Sequence, residues 1–257
     1  MTVRRRELLG VPFAMVDYAG AMDVMDELIA TRTPGYVCAA AVHVLIESQR
    51  DPIALRALRQ ATLVVPDGMP LVWAANAFGE RLSDRVYGPD LMWAYLDRCA
   101  HQGHRVFLLG GRGEDPDALA RLEGRYAAAF PGLVVAGRST SPFRPLTAAE
   151  EDEQAARIEA AAPDVVWVGL GAPRQEKWMS RMRPRLSAPV LAGVGAAFDF
   201  HAGLVPQAPR WMQRCGLEWA YRLGREPRRL WRRYARTNPE FVARFAVQWA
   251  RSRARAR

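Results

Sequence analysis

The stretch Asp164-Val165-Val166-Trp167-Val168-Gly169-Leu170-Gly171-Ala172-Pro173 decides the fold. Its first half is short and continuously apolar, as a strand covered on both faces should be. Its second half is a glycine loop, and a helical pattern follows over 174–185. The same alternation extends outward from this unit. Strands are expected at 36–42, 62–65, 105–109, 133–136, 164–169 and 189–194, with helices at 20–31, 51–60, 90–102, 116–129, 147–161 and 174–185. Pro116 after Asp115 reads as a capped helix start, and Thr147 with Glu150 three residues on reads as a capping box. Strands separated by helices predict an α/β fold with a doubly wound, mostly parallel, Rossmann-like sheet.

From Pro206 the pattern changes. Helices are expected at 209–224, 228–236 and 239–252, broken near Pro227 and Pro239. The expected division is an α/β core over 1–205 and a basic helical appendage over 206–257. Residues 210–257 hold fourteen arginines against Glu218, Glu226 and Glu240, a net +11, which leaves −2 for the rest of a chain whose total is +9. Four of the eight tryptophans are also there. One reading is a helical subdomain with a solvated basic face. The other is an amphipathic element that docks on an anionic bilayer surface.

Half the residues are hydrophobic and a quarter charged, which fits a globular chain with a large core. No run approaches the ~20 apolar residues of a spanning helix. The first twenty residues show no signal-peptide pattern, so a cytoplasmic protein is expected. Cys38, Cys99 and Cys215 are far apart and odd in number, which suggests buried free thiols rather than a disulfide or zinc framework.

Three expected strands run into glycine: Gly110-Gly111-Arg112-Gly113, Gly169-Leu170-Gly171 and Gly193-Val194-Gly195. Such loops let backbone N–H groups approach a phosphate outside the carboxyl ends of the strands. None completes a dinucleotide fingerprint or a Walker loop, which disfavours NAD and ATP. Val65-Pro66-Asp67-Gly68 puts a carboxylate at a strand end, either as a turn residue or as a general base toward a sugar hydroxyl. Asp115-Pro116-Asp117 resembles the D-x-D of metal-dependent sugar transferases, but cap and first-turn positions explain both acids. His43 and His201 follow apolar strands and could reach the site or be structural. No metal cluster, G-x-S-x-G or known nucleic-acid motif is found, and no cofactor is implied.

Longer motifs are more specific. Gly169-Leu170-Gly171-Ala172-Pro173-Arg174-Gln175-Glu176-Lys177-Trp178 is followed by Gly193-Val194-Gly195-Ala196-Ala197-Phe198-Asp199-Phe200 and Ala208-Pro209-Arg210-Trp211. Then come Gly216-Leu217-Glu218-Trp219-Ala220-Tyr221-Arg222-Leu223 and Glu226-Pro227-Arg228-Arg229, with Asp67-Gly68-Met69-Pro70 and Arg85-Val86-Tyr87-Gly88-Pro89-Asp90-Leu91 upstream. Together they resemble the WecG/TagA/CpsF family of bacterial glycosyltransferases, glycosyltransferase family 26, over about residues 8–245. The resemblance implies inverting, metal-independent transfer from a UDP-sugar to a polyprenyl-diphosphate-linked saccharide, in exopolysaccharide or cell-wall biosynthesis. It implies a peripheral protein at the inner face of the plasma membrane, with no specific nucleic acid as partner and a homo-oligomer left open. It assigns the general base to Asp67, places Arg85 and Gln175 in the pocket and Asp199 near the nucleotide. It makes Arg222, Arg229 and Arg232 candidates to close over the diphosphate. Gly110, Gly111, Gly169 and Gly171 complete the expected nucleotide loops. Ala39 and Ala41 stand where many members have a Thr-x-Asn pair, so the resemblance gives the reaction class and not the sugar.

Overall fold

The computed structural model describes residues 3–110, 117–142 and 144–255. The chain opens with strands β1 (Arg5–Leu8) and β2 (Val11–Ala14), helix α1 (Tyr18–Ala30) and strand β3 (Gly35–Ala40). Next come α2 (Val42–Ser48), α3 (Pro52–Gln60), β4 (Leu63–Pro66), α4 (Met69–Ala77), α5 (Gly88–Gln102), β5 (Arg105–Gly110) and α6 (Ala118–Ala129). They are followed by β6 (Val134–Ser139), α7 (Ala148–Ala161), β7 (Val165–Gly169), α8 (Arg174–Met182), a 3₁₀ turn (Arg183–Arg185) and β8 (Val190–Gly193). The chain ends with α9 (Ala197–His201), α10 (Arg210–Arg214), α11 (Glu218–Arg225) and α12 (Pro227–Arg255).

Six strands form one parallel sheet in the order β4-β3-β8-β7-β5-β6, and β1 pairs with β2 in an antiparallel hairpin. The apolar strands bury both faces. On one side Val37, Val106, Leu108, Val165 and Trp167 pack against α1, α5 and α6. On the other, Cys38, Phe107, Val166, Val168 and Leu191 pack against α2, α3, α7 and α8, with Phe241 of α12. This is the doubly wound α/β architecture expected. Its register aligns the functional ends: Gly110 pairs with Gly169, Val168 with Gly193, and Ala40 with Pro66. Five parallel strands therefore stop at one edge, where an open α/β sheet holds its ligand.

The expected core strands and helices are present, with ends shifted by one to three residues. Thr147 and Glu150 form the expected reciprocal capping box. The expected start of α6 at Pro116 lies outside the described residues, and Asp117 stands at its cap position. Residue 42 opens α2 instead of ending β3; Val42-His43-Val44-Leu45-Ile46 is too short and, His43 apart, too uniformly apolar for a period to separate strand from helix. The β1–β2 hairpin and α4 were not expected.

The tail differs most. The 209–224 element is two short helices, and the other two are one helix, α12, that passes through Pro239. A proline inside a helix costs about 3 kcal/mol, so tertiary contacts must offset it. Leu230 and Phe241 are buried on either side of Pro239. Phe245 packs edge-on to Phe78, and Gln248 hydrogen-bonds the backbone of Glu7 and Leu9 in the hairpin. Arg50 pairs with Glu240. Pro227 sits at the helix start, where its missing N–H costs nothing. Arg222 is thus on α11 and Arg229 and Arg232 on α12, so the three do not share a continuous helix. Cys38 and Cys99 are buried free thiols, while Cys215, expected to be buried, is exposed.

Candidate active site

Asp67 directly follows β4. Its backbone N–H continues the ladder to the Ala40 carbonyl, and the Val86 N–H bonds the Pro66 carbonyl, which brings the start of α5 alongside. The Gly88 N–H donates to Asp67 Oδ1 at 2.7 Å. Burial pushes the Asp67 carboxyl up to about 7, against the opposing pull of Arg85, the Gly88 bond and Arg222; Glu218 adds to the rise. A carboxyl half ionised near neutral pH is matched to general-base work.

Arg85 is buried beside it. Nη1 pairs with Glu218 Oε2 at 2.5 Å and reaches the Asp67 backbone carbonyl at 3.4 Å. Nη2 donates to Gln213 Oε1 at 2.9 Å, and the guanidinium lies 4.1 Å from the Tyr87 ring centroid. The elements around residues 210–225 thus supply two partners of a core arginine.

Two cavities meet at Asp67. The larger, about 370 Å³, spans the ends of β3, β7 and β8; the smaller, about 100 Å³, lies between α4 and α11. Ala41, His43, Asp67, Tyr87 and Arg222 line both. Gly169, Gly171, Gln175, Asp199 and Arg229 also line the larger cavity, and Arg85 the smaller. Gln175 Oε1 accepts from the Gly195 N–H at 3.0 Å, and its Nε2 donates to Glu176 at 3.0 Å, so this amide fixes the loop after β8. Arg222 stacks 5.5 Å from the Phe200 ring centroid, and its buried Nε has no hydrogen-bond partner within the described residues.

Two expected site residues fall elsewhere, and a third cannot be placed. Gly110 is not part of the cavity wall. Its φ is +143°, and a Cβ there would stand 2.6 Å from the Gly169 carbonyl oxygen, so it serves the close approach of β5 to β7. Gly111 lies outside the described residues. Arg232 is exposed with its guanidinium over Trp231, while its neighbour Arg233 lines the larger cavity. Arg233 was missed, although it stands four residues after Arg229 and so on the same helix face. Arg174 and Ser141 were missed as wall residues; Arg174 Nη2 donates to Ser141 Oγ at 2.9 Å. His43 does reach the wall. Burial, then Arg233 and Arg222, drive its pKa down to about 3, so it is neutral. His201 is structural, held between Tyr126 and the Pro89 carbonyl. Among the described residues no group of three or more His, Cys, Asp or Glu could hold a metal.

A cavity of this size at parallel strand ends, with one carboxylate tuned to neutral pH and several guanidiniums, suits an α/β enzyme that moves a group off a phosphorylated donor. Comparison with known proteins makes this specific. The profile of the Glycosyl transferase WecG/TagA/CpsF family matches residues 6–255, and the chain belongs to this family of glycosyltransferases. It is 32% identical over 198 residues to an N-acetylglucosaminyldiphosphoundecaprenol N-acetyl-beta-D-mannosaminyltransferase of Bacillus spizizenii, covering 77% of this chain and 74% of the relative. The Bacillus subtilis protein of the same name is 32% identical over 176 residues, 68% of this chain and 65% of the relative.

Proposed function

We propose that this glycosyltransferase moves a sugar from a UDP-sugar to a saccharide carried on a polyprenyl diphosphate, with inversion and without a metal ion, in cell-surface polysaccharide biosynthesis. The names of the Bacillus relatives support the acceptor class. The observation that carries the reading is the position of Asp67 on the wall shared by the two cavities. The donor occupies the larger chamber and the acceptor hydroxyl approaches from the smaller one. Asp67 takes the hydroxyl proton as that oxygen bonds to the anomeric carbon. The bond from that carbon to the diphosphate breaks on the opposite side, and its electron pair leaves with UDP. Arg222, Arg229 and Arg233 face the chamber and supply positive charge for the leaving diphosphate.

The core over 1–205 carries the chemistry, and the segment 206–257 completes the site and docks on the anionic inner face of the membrane. Trp211, Trp219 and Trp231 are exposed among its arginines, a composition suited to an interfacial surface. No helix among the described residues is long and apolar enough to cross a membrane.

The test is a panel of UDP-sugars, including UDP-N-acetylmannosamine, offered with a polyprenyl-diphosphate-linked N-acetylglucosamine acceptor in the presence of excess chelator. Acceptor-dependent UDP release with one donor is the expected result. No acceptor-dependent release from any donor would sink the reaction. Release abolished by chelator and restored by Mg²⁺ or Mn²⁺ would sink metal independence.

A further inference from the structure

Arg85 has two carboxylates within its field, and its geometry chooses between them. Its Nη1 lies 2.5 Å from Glu218 Oε2 in an ion pair, and its Nη2 donates to the Gln213 amide oxygen at 2.9 Å. Toward Asp67 it reaches only the backbone carbonyl, while the Asp67 carboxylate takes its hydrogen bond from Gly88. Glu218 and Arg85 are both buried, and Gln213 and Glu218 sit on α10 and α11 of the C-terminal segment. The ion pair therefore crosses from the core to the appendage. We infer that Glu218 is a positioning residue: by holding Arg85 to itself, it keeps the guanidinium off the Asp67 carboxylate and leaves that carboxylate free to accept a proton. The inference rests on the proposed general-base role of Asp67.

Electrostatics give the effect a sign. An arginine drawn to within about 4–6 Å of a carboxylate lowers its pKa by roughly 1–3 units. Glu218 opposes this twice, through its own negative charge and through its grip on Arg85, and both keep the base strong. The other titratable groups around Asp67 are Tyr87 ahead of α5, Tyr18 of α1, His43 of α2, Arg222 of α11 and Tyr234 of α12, with Arg174 of α8, Asp199 of α9 and Arg229 and Arg233 of α12 across the larger chamber. His43 is neutral above about pH 3 and burial raises the tyrosine pKa values, so neither the histidine nor the tyrosines change charge near pH 7. Glu218 is also the first residue of α11, where a negative charge suits the helix N-terminus, so its charge has a structural use as well. The two roles are separated by what the pH dependence does.

The experiment titrates the Asp67 carboxyl by ¹³C NMR in the full-length protein, with Asp67→Asn to assign the signal. The pH profile of turnover is recorded on the same variants. Glu218→Gln is expected to move the Asp67 midpoint down by about one unit or more. The acidic limb of turnover should follow it, and turnover at the alkaline plateau should fall by up to about tenfold because the base is weaker. Arg85→Gln should move the midpoint up, and the double variant should lie between the two. Glu218→Asp keeps the charge, should hold the midpoint near the wild-type value, and serves as the comparison if Glu218→Gln does not fold. Opposite displacements cannot come from a purely structural loss, which would lower turnover without moving the midpoint. An unmoved midpoint in folded Glu218→Gln would overturn the inference, as would a midpoint in Glu218→Asp displaced as far as in Glu218→Gln. With Glu218→Gln unfolded, a midpoint in Arg85→Gln that does not rise would do the same. A midpoint that moves while Asp67→Asn keeps full turnover would instead sink the general-base role and leave the electrostatic coupling standing.

Discussion

The Gly88 backbone N–H donates to Asp67 Oδ1 at 2.7 Å, from the first residue of α5. This bond holds the carboxylate in one orientation at the junction of the two cavities. It also explains why residue 88 is glycine. A Cβ there would meet the Val194 carbonyl oxygen at 3.0 Å and the Ala39 side chain at 3.3 Å, pushing the N–H away from its acceptor. The favourable helix N-terminus and the cost of burial act against each other, and burial wins, leaving the carboxyl near 7.

Replacing Asp67 with Asn keeps the shape and removes the base. Turnover at saturating substrates should fall by about 10²–10⁴-fold with the thermal unfolding midpoint maintained or raised. In the wild type, the basic form is present only above the folded pKa, so turnover should rise with pH through about 7. A pH–rate profile of both proteins checks this. Near-normal turnover in Asp67→Asn would remove it from the reaction.

Arg233 and Arg232 are neighbours with different outlooks, one toward the cavity and one over Trp231. Arg233→Ala should weaken UDP binding by about ten- to hundredfold, the range for a hydrogen bond to a charged group. Arg232→Ala should leave UDP affinity within about twofold of wild type by the surface-substitution range. Calorimetric titration with UDP separates the two. Equal losses would place both on the diphosphate.

Glu176 is buried beside Gln175, with Oε2 lacking a hydrogen-bond partner among the described residues, and burial drives its pKa up to about 7. A carboxyl harder to ionise in the folded state than in the unfolded one loses stability as pH rises from about 4.5 to about 7. Glu176→Gln keeps an acceptor for Gln175 and should stabilise the protein at pH 8 by a few kcal/mol at most, with little change at pH 4. Chemical denaturation at the two pH values reads this out. A variant less stable at pH 8 would mean that the charge is used in the fold.

The outward arginines of α12 should bind lipid without touching chemistry. Arg228 and Arg232 are exposed, and basic residues near an anionic surface contribute about 1 kcal/mol each. Charge reversal of both should lower binding to phosphatidylserine-containing vesicles at least tenfold, with turnover on a soluble short-chain acceptor unchanged. Unchanged sedimentation with vesicles would locate the docking surface elsewhere.

The sheet was legible because five of its six strands are short, almost wholly apolar and buried, and the helices between them carry their own periodicity, one with a capping box at Thr147. The glycine strings after β7 and β8 also pointed to the edge of the sheet where the larger cavity lies. The departures have local causes. Val42–Ile46 is apolar except for His43 and too short to show a period, so its pattern does not distinguish a helix from the continuation of β3. Pro239 is a breaker by propensity, and only long-range packing of Phe241 and Gln248 against the first strands makes it tolerable. Arg232 was expected from the family resemblance, whereas in α12 it lies over Trp231 and its neighbour Arg233 lines the cavity. The pairing of Arg85 with Glu218, 133 positions apart by number, has no signature in local pattern at all.

The unbroken α12 also limits how the catalytic chamber can open. It is fixed near its start by Leu230, in the middle by Phe241 and near its end by Gln248 clipped to the hairpin. A flap needs a free end and a hinge, and this rod has neither along that span. Arg229 and Arg233, which line the larger cavity from this rod, can therefore change their reach only as side chains, by withdrawing and returning in place. Rotamer changes of this kind take picoseconds to nanoseconds at exposed positions, far faster than the microsecond-to-millisecond swing of a domain lid.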